Sequence, residues 1–259
     1  MGVRAKIVVG LVLAAIVVVG VLTSQRESRP AQAKAACGTP VRTMAYADEP
    51  ERPLRRDGFE QLFRSGAAVR AGGEDAVIEV ADVAKLDLPT GRLIAGDPTY
   101  EDDLDTPFLV TVPPGSYPVS LSRVRFTATP GTIRVAAARV LVRPEPVTRW
   151  ALAFSPGEDP AKLGPNEYYG FGVDSGLAAL LDASATPSLC RLVAGGDGPL
   201  IPALDQDDDS AGVSLRDPAT GPNVIAFGAG WGDGSYPTWI GYTASGAVAQ
   251  FVVDFSVID

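Results

Sequence analysis

The strongest constraint on the fold is the alternation of apolar and polar residues in two neighbouring segments, residues 117–128 and 133–142. A period of two places alternate side chains on opposite faces of a strand. Pro130-Gly131 lies between the segments and is typical of a tight turn, so together they form a predicted antiparallel hairpin. The alternation changes phase near Ser122 in the first segment, which predicts a β-bulge there.

Further segments of this kind continue to the C-terminus, where Ser245-Gly246 predicts a second hairpin. The 28 glycines and 22 prolines favour many short elements over long helices. We therefore predict a mainly β fold, an antiparallel β-sandwich-like single domain with few short helices. The other predicted strands include residues 76–84, 108–112, 150–154, 223–227, 238–242 and 248–258. A polar loop is predicted for residues 204–222.

The N-terminal segment, residues 1–35, has the pattern of a targeting signal. Two basic residues precede an uncharged apolar run, residues 7–22. Ala33-Lys34-Ala35 fits a signal-peptidase site. The long polar stretch before that site instead favours an uncleaved anchor, for which the run is just long enough. Either form predicts an extracytoplasmic protein, membrane-anchored through residues 7–22 or secreted.

The two cysteines, Cys37 and Cys190, are predicted to form a disulfide, because thiols outside the cytoplasm tend to pair. The bond would join the N-terminal arm, residues 36–89, to the middle of the β-rich domain, residues 90–259. We expect the arm to pack on that domain. Two buried thiols are the alternative.

The chain contains no histidine. Ser-His-Asp and Cys-His catalysis are therefore excluded, as are zinc sites that need histidine. The net charge is −9, and it becomes −13 for the rest of the chain once residues 1–35, with five basic residues and one acidic residue, are set aside. An acidic domain repels phosphate backbones, so we predict no nucleic-acid partner.

Residues 226–242 hold the densest mixture of glycine, aromatic and acidic residues. Trp231, Tyr236 and Trp239 can bury large surfaces while keeping a polar atom available, and Asp233 lies among them. Exposed together on a turn, these side chains would bind a sugar or another polar ligand. The alternative is a pair of strands whose aromatic rings fill the core.

Residues 205–209, Asp-Gln-Asp-Asp-Asp, resemble the start of a calcium-binding loop. The twelve-residue calcium loop needs glycine at its sixth position and glutamate at its twelfth, where this chain has Ser210 and Arg216. The regular motif is therefore excluded. We predict no cofactor, with an irregular calcium site as the open alternative to a solvated loop.

Residues 172–176, Gly-Val-Asp-Ser-Gly, resemble the strand-to-helix turn that presents a nucleophile, but aspartate replaces the serine. No such triad can work without histidine. We therefore predict that Asp174 caps the segment beginning at Ser175.

Several motifs together resemble the bacterial family of the domain of unknown function 4241, over roughly residues 90–259. They are Gly96-Asp97-Pro98, residues 112–119, 134–138 and 172–176 with Asp182, and residues 230–237 followed by Asp254-Phe255. The resemblance implies one continuous domain and transfers no activity. It makes Asp97, Asp174 and Asp233 candidates for a shared site.

Two functions of different class follow. The first is a non-catalytic binding or interaction module for an unknown protein or carbohydrate ligand. The second is a carboxylate-based hydrolase, with or without a metal ion, since two carboxyls at a suitable separation suffice for such chemistry. The sequence favours the first and assigns no catalytic residue. The predicted ligand-binding residues are Asp97, Asp174, Trp231, Asp233, Tyr236 and Trp239.

Overall fold

The computed structural model describes residues 45–47, 54–99, 104, 106–194, 198–207, 210–219 and 221–259. All of them belong to one compact unit, Lys34–Asp259. The predicted targeting segment and Cys37 lie outside the described residues. The Cys37–Cys190 disulfide therefore stays a prediction. No helix in the described ranges is long and apolar enough to span a membrane.

The described residues are mostly strands, as the alternation predicts. The strands are β1 Ala45–Ala47, β2 Ala68–Ala71, β3 Glu74–Leu88, β4 Leu93–Gly96, β5 Gly115–Phe126, β6 Ile133–Leu141, β7 Arg149–Leu152, β8 Glu167–Tyr169, β9 Phe171–Val173, β10 Leu177–Asp182, β11 Val213–Arg216, β12 Asn223–Gly228, β13 Gly234–Tyr236, β14 Thr238–Tyr242 and β15 Val248–Asp254. The helices are α1 Thr186–Val193 and α2 Leu200–Asp207, with 3-10 turns at Phe59–Phe63, Pro160–Lys162 and Ala183–Ala185. The predicted mainly β class is confirmed.

The largest sheet has seven strands in the order β2-β3-β5-β6-β15-β14-β7, all paired antiparallel. The predicted hairpin of residues 117–128 and 133–142 forms its centre as β5 and β6. Its register shifts between Ser122 and Arg123, which confirms the predicted bulge. β7 lies at one edge of the sheet.

A four-stranded sheet in the order β11-β12-β10-β4 packs against the first sheet. Leu180 and Phe227 point into the shared core, while Leu181 and Ala226 face α1 and α2 on the other side. Burial on both faces explains the nearly continuous apolar run of β10. Residues 54–63 cover part of the outer face of the seven-stranded sheet.

Two predicted elements differ from the structure. Residues 108–112 form no strand, because prolines at 107, 113 and 114 flank them and cannot donate to a ladder. Their N–H groups instead bond singly to other segments, as Phe108 does to Leu93. The predicted polar loop, residues 204–222, contains the end of α2 and the strand β11.

Candidate functional site

Asp97 directly follows β4 and is completely buried. Its Oδ2 accepts hydrogen bonds from the backbone N–H groups of Asp174 (3.0 Å) and Ser175 (2.9 Å). Its Oδ1 accepts from the Ser175 hydroxyl (2.7 Å) and from the N–H and hydroxyl of Thr99 (both 2.8 Å). The carboxyl therefore fixes the turn between β9 and β10 to the end of β4.

Asp174 does not cap a helix, which corrects the sequence-based prediction. The segment after Ser175 is the strand β10, because its apolar side chains are buried between the core and the two helices. The turn N–H groups that a helix would leave unpaired donate to Asp97 instead. The side chain of Asp174 is exposed.

The glycine-rich loop, residues 229–233, lies on this turn. The Ala229 N–H donates to the Gly176 carbonyl at 2.8 Å, and the Gly232 N–H donates to the Ala229 carbonyl at 2.6 Å. Gly230 has a φ of +47°, and a Cβ there would lie 2.7 Å from the Cβ of Phe255. Glycine is therefore required at this position for both conformation and space.

Trp231 projects from that loop and is 47% exposed. One part of its ring packs on Phe126, with ring centroids 5.9 Å apart. Another part approaches Gly72, where an added Cβ would lie 2.7 Å from the indole. The Arg134 guanidinium carbon lies 6.0 Å from the ring centroid, within range of a cation–π interaction. The indole is thus held in one place with nearly half of its surface open to solvent.

A cleft of about 170 Å³ lies between Trp231 and the turn after β9. It is lined by Arg134, Ser175, Gly176, Gly230, Trp231 and Gly232, among others. We call it the Trp231 cleft. The carboxyls of Asp174 and Asp233 are exposed on the two loops that border it.

Tyr236 supports this loop from inside the core. Its ring packs edge-on against Phe255, with centroids 4.8 Å apart, and its hydroxyl donates to the Gly232 carbonyl at 2.8 Å. Burial raises the pKa of Tyr236 to about 12, and the nearby charge of Asp233 adds to the shift. The hydroxyl therefore remains a donor at ordinary pH.

Trp239 belongs to a different surface. It is buried beside Phe59, with ring centroids 5.2 Å apart, in the cluster that covers the outer face of the seven-stranded sheet. It lines a second groove and is absent from the Trp231 cleft. Trp239 is therefore separate from the other five predicted ligand-binding residues. Those five lie on or beside one pair of loops, and they are Asp97, Asp174, Trp231, Asp233 and Tyr236.

The acidic residues form no evident metal centre in the described part of the chain. No group of three or more Cys, Asp or Glu side chains there could hold a metal ion. The backbone of Asp205–Asp207 ends α2, and the side chains of residues 205–209 lie outside the described set. The calcium alternative stays untested.

Arg134 and Ser175 border the cleft but are absent from the predicted ligand-binding residues. Both fall inside the motifs that carry the family resemblance, so the signal was present. The sequence does not show whether an arginine on an alternating strand faces a ligand site or only solvent, because the neighbouring loops are unknown.

A family model described as Protein of unknown function (DUF4241) matches residues 86–253. This match confirms the resemblance carried by the glycine and aspartate motifs. No curated protein and no solved structure matches the chain.

Proposed function

The chain belongs to the DUF4241 family, to which no activity is assigned, and from its own geometry we propose that it is a non-catalytic binding or interaction module. The module works outside the cytoplasm, membrane-anchored or secreted, as the N-terminal segment suggests. The observation that carries the proposal is the fixed, half-exposed indole of Trp231 at the rim of the Trp231 cleft.

A rigid exposed tryptophan suits recognition. Tryptophan is enriched among the residues that dominate binding energy, because one ring buries a large area and offers one donor. The contacts of Trp231 with Phe126 and Gly72 fix the ring before any ligand arrives. Less conformational entropy is then lost on binding.

The size of the Trp231 cleft limits what it can hold. Its volume of about 170 Å³ is below the 300–1,000 Å³ typical of sites that enclose a whole small ligand. It suits one projecting group, such as a side chain or a sugar ring, on a larger partner. Arg134, Asp174 and Asp233 would supply charged contacts around that group.

The hydrolase alternative loses one of its three candidate carboxyls, that of Asp97, and keeps those of Asp174 and Asp233. Such an enzyme needs two carboxyls that reach the scissile bond. Asp97 accepts five hydrogen bonds from Thr99, Asp174 and Ser175, while a carboxylate has about four lone-pair sites. No acceptor site is left for a substrate proton unless the turn is released. Asp97 therefore supports the site through the backbone.

The test is to measure binding and cleavage together with the full-length chain. Defined soluble polysaccharides and purified secreted proteins are passed over the immobilised chain, and each bound ligand is recovered for mass spectrometry. We expect at least one ligand to bind saturably and to be recovered intact. Cleavage of the bound ligand that disappears in Asp174→Asn or Asp233→Asn would contradict the proposal and support the hydrolase.

A further inference from the structure

The structure contains a second groove, and we propose that it binds a neutral oligosaccharide. The groove has a volume of about 600 Å³, within the 300–1,000 Å³ range of ligand sites. It runs beside the edge strand β7 and shares no lining residue with the Trp231 cleft. We call it the β7 groove. The inference rests on residues that the proposed function does not use.

Aromatic rings form one wall of the β7 groove. Leu152 pairs directly with Trp239, and Trp150 lies two residues before Leu152, so all three side chains share one face of the sheet. Phe59 packs against both indoles, with ring centroids 4.7 Å from Trp150 and 5.2 Å from Trp239. Phe154 extends the wall. The half-buried rings of Trp150 and Phe154 can offer apolar surface to the C–H faces of sugar rings, whereas Trp239 is 3% exposed.

The same wall carries an unused hydrogen-bond donor. Trp239 is 3% exposed, and its Nε1 has no acceptor among the described residues. A buried donor without a partner is costly, and such groups are rare in folded proteins. Trp239 lines the β7 groove, so a ligand hydroxyl or ring oxygen would supply the missing acceptor once the lining over this buried donor opens on binding.

The charges in the lining of the groove favour a neutral ligand. Arg56 and Glu167 are the charged residues in its described lining, one of each sign. Arg56 donates to the Pro165 carbonyl, and the Glu167 Oε2 accepts from the Gly164 N–H at 2.8 Å. Each side chain is thereby fixed while its remaining polar atoms can bond to hydroxyl groups. The two charges offset each other, so the described lining has no net charge that would attract an ion.

Tryptophan fluorescence can report on this groove alone. The chain has three tryptophans, so Trp231→Phe leaves Trp150 and Trp239 as the emitting residues. Full-length Trp231→Phe protein is titrated with cellohexaose, chitohexaose and maltohexaose. We expect at least one of them to shift the emission to shorter wavelength and to reduce acrylamide quenching.

Two further substitutions in the Trp231→Phe background test the assignment. Trp239→Phe removes the indole donor and should weaken binding about tenfold, which corresponds to about 1.4 kcal/mol. Glu167→Gln keeps the acceptor for Gly164 and removes the charge, and should weaken binding several-fold even if Trp239→Phe fails to fold. Near-ultraviolet circular dichroism checks folding of each variant.

Three results would overturn the inference. The first is no protection from quenching by any of the three saccharides. The second is unchanged affinity in both folded variants. The third is protection by an extended Thr-Val repeat peptide but by no saccharide, which would instead indicate strand addition to the open edge of β7. Since Trp231 is already replaced, these results are independent of the Trp231 cleft.

Discussion

Five hydrogen bonds from three residues converge on the buried carboxyl of Asp97. The donors come from segments nearly 80 residues apart in sequence, as the bonds to Asp174 and Ser175 show. The loop that holds Trp231 rests in turn on the carbonyl of Gly176. The position of the exposed indole therefore depends on one internal carboxyl.

Asp97→Ala should destabilise the fold by about 1.5–3 kcal/mol, because three backbone N–H groups and two hydroxyls would lose their charged acceptor. Asp233→Ala removes an exposed carboxyl and should change the free energy of unfolding by less than about 0.5 kcal/mol. Urea unfolding of both variants measures the difference. Equal stability of Asp97→Ala and the wild type would show that the carboxyl has another role.

The stability of the fold should depend on pH through the buried carboxyl of Asp254. Burial raises its pKa above the usual 3.8, and Arg55, whose Nε lies 3.2 Å away, offsets part of the shift. The folded state therefore holds this proton more tightly than the unfolded chain. The resulting stabilisation is complete below pH 3.8 and is lost as pH rises through the folded-state pKa.

The comparison with Asp254→Asn isolates this effect. The wild-type free energy of unfolding minus that of Asp254→Asn should fall as pH rises from about 3.8. Glu79 and Asp87 have pKa values lowered chiefly by hydrogen bonds from arginine, and they stabilise the fold in the opposite direction. Both carboxyls are present in the wild type and in Asp254→Asn, so their contributions cancel in the difference. A difference that is constant or rises with pH would contradict the prediction.

At the scale of elements, the segment Leu54–Phe63 covers the outer face of the seven-stranded sheet. Phe59 is fully buried between the indoles of Trp150 and Trp239. Phe59→Ala should therefore cost about 3–5 kcal/mol through lost contacts and a cavity. Gln61→Ala, an exposed position in the same 3-10 turn, is the control and should change little. A similar small loss in both variants would show that the segment is not required for stability.

Sequence patterns predicted those strands and turns that are determined by a few neighbouring residues. Alternation identified β5, β6 and the bulge at Ser122, because a period of two and its phase change are visible within ten residues. The same reasoning failed for residues 108–112, where flanking prolines outweigh apolar content. It also missed β11, whose polar residues are paired with β12 at a sheet edge. The pairing order of the sheets has no local signature.

The candidate site was only partly predictable for the same reason. The family resemblance identified Asp97, Asp174 and Asp233, and two of these meet through the Asp97 carboxyl. Nothing in the local sequence shows that Trp231 lines the Trp231 cleft while Trp239 lines the β7 groove. Their different surroundings arise because Trp231 lies on a loop over β5, whereas Trp239 lies on the outer face of β14.

At the scale of the whole molecule, two packed sheets and a helical layer form the domain, and the Trp231 cleft lies on loops at one of its surfaces. Cys190 lies on α1, which packs on the outer face of the four-stranded sheet. A bond to Cys37 would tie the N-terminal arm to this layer. Closing so long a loop typically stabilises a fold by about 2–4 kcal/mol.

Peptide mapping without reduction tests the predicted disulfide. Full-length protein exported from its host should yield a linked pair of peptides containing Cys37 and Cys190. Reduction should then lower the melting temperature. Two thiols that alkylate in native, unreduced protein would contradict both the disulfide and the oxidising location that it assumes.

The central claim is that the fixed indole of Trp231 makes the main contact with a partner. The most direct measurement compares ligand affinity of the full-length chain with that of Trp231→Ala and Leu109→Ala, since Leu109 is also exposed, at 61%, and lies outside the cleft. We predict that Trp231→Ala weakens binding at least tenfold, about 1.4 kcal/mol, and that Leu109→Ala leaves it unchanged. Equal affinity of all three proteins would contradict the account.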